Sequence, residues 1–149
     1  QLQSSAASDV YKRQLIESNF MHNLAPEELK VITRSVMLIL DNWGLESEQI
    51  VAVLGLSSGT RKRQLDKYRS SQAFPVDANL FKRLEHIIGI SDALRTTFPR
   101  NQNMASGWLN TKHRRFNDQT PLEIMMKEGT PGLSKIRSEL DCTYAWSEN

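Results

Sequence analysis

From Pro26 onward, apolar residues recur at helical spacing, and no segment alternates apolar and polar positions with the period of a strand. Leu29, Ile32, Val36, Ile39 and Trp43 fall on one stripe. Pro26 followed by Glu27 and Glu28 suits the first turn of the helix that carries them. A missing N–H costs nothing there, and acids complement the helix dipole. Gly44 stops this helix. Ser47 is the expected cap of a second, short helix bearing Ile50, Val51 and Leu54, which Gly55 ends. Ser57 or Ser58 is the expected cap of a third helix running towards Tyr68. Residues 70–75 read as a connector. A long helix follows, with Leu80, Leu84, Ile87, Ile88, Leu94 and Phe98 on one side and Pro99 at its end. Gly89 inside it costs about 1 kcal/mol relative to alanine and puts its continuity in question.

The last third reads as a second module. Trp108 and Leu109 sit in a short helical stretch. Thr120-Pro121-Leu122-Glu123 is a strong helix start: threonine caps, proline fits the first position, and glutamate at the third bonds back to the cap. That helix carries Leu122, Ile124, Met125 and Met126 and stops at Gly129. Thr130-Pro131 repeats the pattern before a last helix with Leu133, Ile136 and Leu140. The expected fold is all-α, with a helix-turn-helix module in residues 21–76 and a connecting helix plus a small helical module in residues 77–149. That small module should pack against the end of the long helix, with Trp43 and Leu84 in the core. Residues 1–20 are expected to be an artefact or a disordered arm. The opening QLQSSAASDVYKRQ resembles translated sequencing-adaptor read-through, which places the natural start near Met21.

Composition narrows the picture. The 149 residues are 39% hydrophobic and 24% charged, the balance of a folded chain. A net charge of +2 decides nothing about partners, so the distribution of charge matters more. The single cysteine, Cys142, cannot form an intrachain disulfide and is expected to be a half-buried apolar filler. No apolar run approaches the roughly 20 residues of a membrane span and no signal peptide is evident, so the expected location is the cytoplasm.

Catalytic motifs are missing from the sequence: it has no glycine-rich phosphate loop, nucleophile elbow or paired-histidine metal motif. His22, His86 and His113 lie far apart, and His86 reads as a packing or surface histidine. The expectation is a binding protein without cofactor or metal. The helix–glycine–helix spacing around Gly55-Leu56-Ser57 suits a helix-turn-helix, with Leu56 plugging the angle. The segment after it carries Arg61, Lys62, Arg63, Lys67 and Arg69 against one acid, Asp66. Ser58, Thr60, Arg61, Lys62, Arg63 and Lys67 are thus the candidate DNA-facing residues, because such cations neutralise phosphates and arginine reads guanine edges. The competing reading is a solvated basic face. A second basic run, Arg95, Arg100, Lys112, Arg114 and Arg115, has no acid between its ends and is either a partner surface or a solvated linker. Residues 101–146 have little core of their own, so Trp108, Phe116, Leu122, Met125, Met126 and Leu133 should leave apolar surface for a partner.

At these residues the chain resembles a known family. The pairs Arg83-Leu84, Phe98-Pro99 and Trp108-Leu109, then Phe116, Thr120-Pro121-Leu122-Glu123 and Gly132-Leu133 with Arg137, resemble the Xre/MbcA/ParS toxin-binding antitoxins. Leu54-Gly55-Leu56-Ser57 resembles the helix-turn-helix that precedes that domain. The resemblance implies an antitoxin of a type II toxin–antitoxin pair. Its C-terminal domain would block a toxin, commonly a RES-domain enzyme that destroys NAD, and its N-terminal domain would bind operator DNA, usually as a homodimer. Toxin contact would then fall on Trp108, Arg114, Phe116, Leu122, Met125, Met126, Leu133 and Arg137. The chain departs from the family where Arg61, Lys62 and Arg63 replace apolar or aromatic residues. A free-standing transcriptional regulator is the alternative.

Overall fold

The computed structural model describes residues 23–147, and within them the chain is all-helical. Helix α1 spans Pro26–Asn42, α2 Ser47–Leu54, α3 Lys62–Ser70, α4 Ala78–Thr97, α5 Gln102–Leu109, α6 Pro121–Glu128 and α7 Thr130–Ser147, with one 3-10 turn at Arg114–Phe116. One buried cluster runs through all of them, from Leu29 to Leu140. Trp43 and Leu84 both belong to it, as the stripes require.

Helix α4 is the centre. It packs on α7 most extensively, and also on α1, α2 and α5. This position explains why Phe81 and Ile90 are buried beside the expected stripe of Leu80, Leu84, Ile87 and Leu94. A helix with neighbours on several sides buries more than one face. Its first turn is capped by Asp77, whose Oδ1 accepts from the Asn79 amide at 2.8 Å. Gly89 does not interrupt it. A Cβ there would collide with the guanidinium of Arg137, which crosses α4 at that point. The glycine is a clearance for a neighbouring helix, and the helical hydrogen bonds continue through it.

In α1 the observed stripe is wider than the sequence suggests. Thr33, Met37 and Leu40 are buried with Leu29 and Val36, while Ile32 and Ile39 are only half-buried. Among the described residues, Thr33 is the one buried polar side chain. Its hydroxyl donates to the Leu29 carbonyl at 2.7 Å and accepts from the Phe74 amide at 2.9 Å. That pairing satisfies a backbone donor where the connector dives under α1. The Phe74 ring then packs against Tyr68, tilted by 57° with the centroids 4.9 Å apart.

Two helix starts differ from expectation. The cap of α2 is Glu46, one residue before Ser47, and Gln49 accepts from the Glu46 amide at 2.8 Å. Helix α3 starts at Lys62, well after Ser57 and Ser58. A turn forms first: the Thr60 amide donates to the Ser57 carbonyl at 2.9 Å, and the two hydroxyls lie 3.3 Å apart. Serine, glycine and threonine favour such local bonds over helix. The α2–α3 connection is therefore residues 55–61, longer than the tight Gly55-Leu56-Ser57 turn. Leu56 packs half-buried against the core.

The start of α6 agrees in detail. Thr120 Oγ1 accepts from the Glu123 amide at 3.0 Å, and Glu123 Oε2 accepts from the Thr120 amide at 3.1 Å. Between α6 and α7, Gly129 adopts φ 64 and ψ −135, a conformation that a side chain strongly disfavours. It lets α7 fold back along α6. Among the described residues, no helix is long and apolar enough to cross a membrane.

Candidate functional site

Helix α3 separates its residues cleanly. Leu65 and Tyr68 are buried against α1, whereas Lys62, Arg63, Asp66 and Lys67 point outward. Arg69 belongs to the fold. Its Nε and Nη2 grip both oxygens of Asp41 on α1 at 2.9 and 2.8 Å, and Nη1 reaches Asp66 at 2.8 Å. Such a two-pronged contact orients α3 on α1. Among the described residues, Arg61, Lys62, Arg63 and Lys67 make no ion pair. Ser58 and Thr60 lie in the preceding turn, so they are loop residues beside the basic face and do not form the helix's first turn.

The C-terminal lobe, α5 to α7, rests on α4. Of the eight residues expected to meet a toxin, four are core. Phe116, Leu122, Met125 and Leu133 are each at most 4% exposed. The lobe is not isolated: α7 and α5 pack on α4, and α6 packs on α7 and on α2, so it buries more than its own length allows. Trp108 and Met126 are half-buried, and Arg114 is exposed. Arg137 is half-buried and lies across Gly89 beside His86, with Nη1 3.5 Å from His86 Nδ1. Burial and the nearby charges of Arg137 and Lys82 lower the His86 pKa below its usual 6.5. Cys142 is exposed, not half-buried as its composition class suggested.

Trp108 sits in an aromatic group. The His113 ring lies 5.1 Å from it and the Phe116 ring 6.3 Å, edge-on. His113 Nε2 donates to the Trp108 carbonyl at 3.0 Å. His113 is thus a packing residue that locks the indole. His22 and Trp146 lie outside the residues whose side chains are described.

Sequence reasoning missed two things here. Met104 is 52% exposed on α5, and Gly107, three residues on, is exposed with nothing near it. Their spacing ahead of Trp108, i and i+3 before i+4, was the available signal. The role of Arg83 had no local signal at all. Its Nη1 donates to the Val53 carbonyl at 3.0 Å, and its guanidinium lies against both Gly55 and Gly129.

These features define a class: an all-α protein whose C-terminal lobe is anchored on a central helix and holds one aromatic group partly open to solvent. The family follows from comparison. Residues 93–143, about a third of the chain, match the model of the antitoxin Xre/MbcA/ParS C-terminal toxin-binding domain. Over those residues the chain is similar to the toxin-binding domain of the Xre/MbcA/ParS antitoxins. Comparison with curated proteins finds no match.

Proposed function

We infer that the chain is the antitoxin of a type II toxin–antitoxin pair, that its toxin is a RES-type enzyme that degrades NAD, and that the chain represses its own operon as a DNA-bound homodimer. The match of residues 93–143 to a toxin-binding domain carries the reading. An antitoxin of this kind acts by covering its partner, so it needs a surface and no catalytic group. Arg114, exposed on the lobe, is available to pair with an acidic group of the toxin. Arg137 would have to leave its place over Gly89 to do the same. The support for operator binding is the outward face of Lys62, Arg63 and Lys67, with Arg61, Ser58 and Thr60 beside it. One short helix contacts few bases, which is the reason for a dimer.

The test is co-expression of the full-length chain with the toxin reading frame beside its gene, following growth and cellular NAD. The expected result is growth and NAD restored by the wild type and by an Arg61→Ala/Arg63→Ala variant alike. A wild type that shifts its promoter fragment but leaves the toxin active would favour the free-standing regulator instead.

A further inference from the structure

Helix α5 has two unlike faces. Ala105, Ser106 and Leu109 face inward: Leu109 is fully buried, and Ser106 Oγ donates to the Trp43 carbonyl at 3.0 Å, fixing α5 on the end of α1. The opposite face carries Met104, Gly107 and Trp108, at i, i+3 and i+4, and so forms one continuous stripe. Met104 is 52% exposed, and Trp108 keeps part of its indole open.

Gly107 between them has no internal explanation. It lies within a helix, its φ is not positive, and a Cβ at that position would meet no heavy atom within 4 Å. Alanine would fit and would strengthen the helix. What glycine supplies is bare backbone, flanked by a methionine and a tryptophan, that another surface can approach closely. The indole is already held by His113 and Phe116, so little ordering remains to be done on docking. Methionine adapts to a partner's contour, and tryptophan is a frequent anchor of interfaces.

The charge around the stripe names the partner's chemistry. Arg100 precedes α5, and Lys112 and Arg114 follow it; all three are exposed and make no ion pair among the described residues. No acid occurs anywhere in residues 95–115. Building on the antitoxin reading above, we propose that the Met104–Gly107–Trp108 stripe of α5 is the face that docks the toxin, into an apolar recess whose rim is acidic.

The experiment uses the purified full-length chain titrated with the product of the adjacent toxin reading frame, at low and high salt. Gly107→Ala should raise the melting temperature yet weaken binding, a split that a purely structural role does not produce. Gly107→Trp should weaken binding by at least about thirtyfold, the scale of a blocked interface centre. Arg114→Glu should slow association at low salt and match the wild type far more closely at high salt. Arg34→Glu, at an exposed position of α1, should leave toxin binding unchanged.

Failure of the wild type to bind would overturn the toxin reading and this surface with it. If the wild type binds and the Gly107 and Arg114 variants bind equally well, only the surface is overturned. If Gly107→Trp leaves toxin binding intact but turns a dimer into a monomer, the stripe joins two copies of the chain and the proposal fails.

Discussion

Arg83 donates to the carbonyl of Val53 at 3.0 Å, and so a residue of the central helix closes the C-terminus of α2. A cation suits that end of a helix, where carbonyls lack partners. The same guanidinium fills the space beside two glycines on distant turns: a Cβ on Gly55 would lie 2.6 Å from its Cζ, and one on Gly129 2.9 Å from its Nη2. One side chain thereby spaces the α2–α3 connection from the α6–α7 turn.

Arg83→Met is expected to lower stability by about 1.5 kcal/mol, the loss of a charge-assisted bond. Gly129→Ala should cost about 1–3 kcal/mol through its backbone conformation alone. Because both act on one contact, the double variant should fall short of the sum. Urea unfolding of the four proteins measures this, and strict additivity would separate the two residues.

Thr33→Val keeps the shape of the side chain but leaves the buried Phe74 amide without its acceptor. The expected cost is about 1–3 kcal/mol, with the change concentrated where the connector meets α1. Hydrogen exchange should show the Phe74 amide opening earlier than in the wild type.

Phe116→Ala removes a side chain that is 1% exposed, and the expected loss is about 3–5 kcal/mol. Any loss of toxin neutralisation by this variant should track unfolding, because the ring is core and not contact surface. Circular dichroism alongside the binding titration distinguishes the two. A fully folded Phe116→Ala protein that no longer binds toxin would show that the ring acts on binding through the Trp108 indole it holds.

His86 titrates below its ordinary value because burial and the neighbouring Arg137 and Lys82 disfavour its charged form. The unfolded chain therefore binds this proton first as pH falls. Stability should be whole above pH 6.5 and decline as pH drops through the lower, folded value. His86→Gln should flatten the melting temperature between about pH 7 and 5.5, the range next to the ordinary histidine pKa. An unchanged slope would remove His86 as the cause.

If Arg61 and Arg63 neutralise operator phosphates, replacing both with alanine should lower the salt slope of promoter binding by about 2, one for each lost contact. Gel shifts across a salt series measure it. An unaltered slope would leave the outward face of α3 as solvated surface.

The sequence by itself determined the helices and most of their ends, because these depend on local chemistry. Thr120-Pro121-Leu122-Glu123 forms its reciprocal cap with only its own four residues, and the stripe from Leu133 to Leu140 needs only the helical period. The family too was legible, since its marks are linear motifs within or near residues 93–143. Tertiary structure decided which apolar residues remain available. A stripe reports that a face is buried, but not how much a neighbour covers, and packing buries Phe116, Leu122, Met125 and Leu133 while Met104 and part of Trp108 stay open. Tertiary structure also decided the roles of Arg83, Arg69 and Gly89. Arg83 meets Val53 and Gly129, Arg69 meets Asp41, and Gly89 clears Arg137, across separations in the chain that no local pattern can encode. Long cations reach partners that only packing brings within hydrogen-bonding distance.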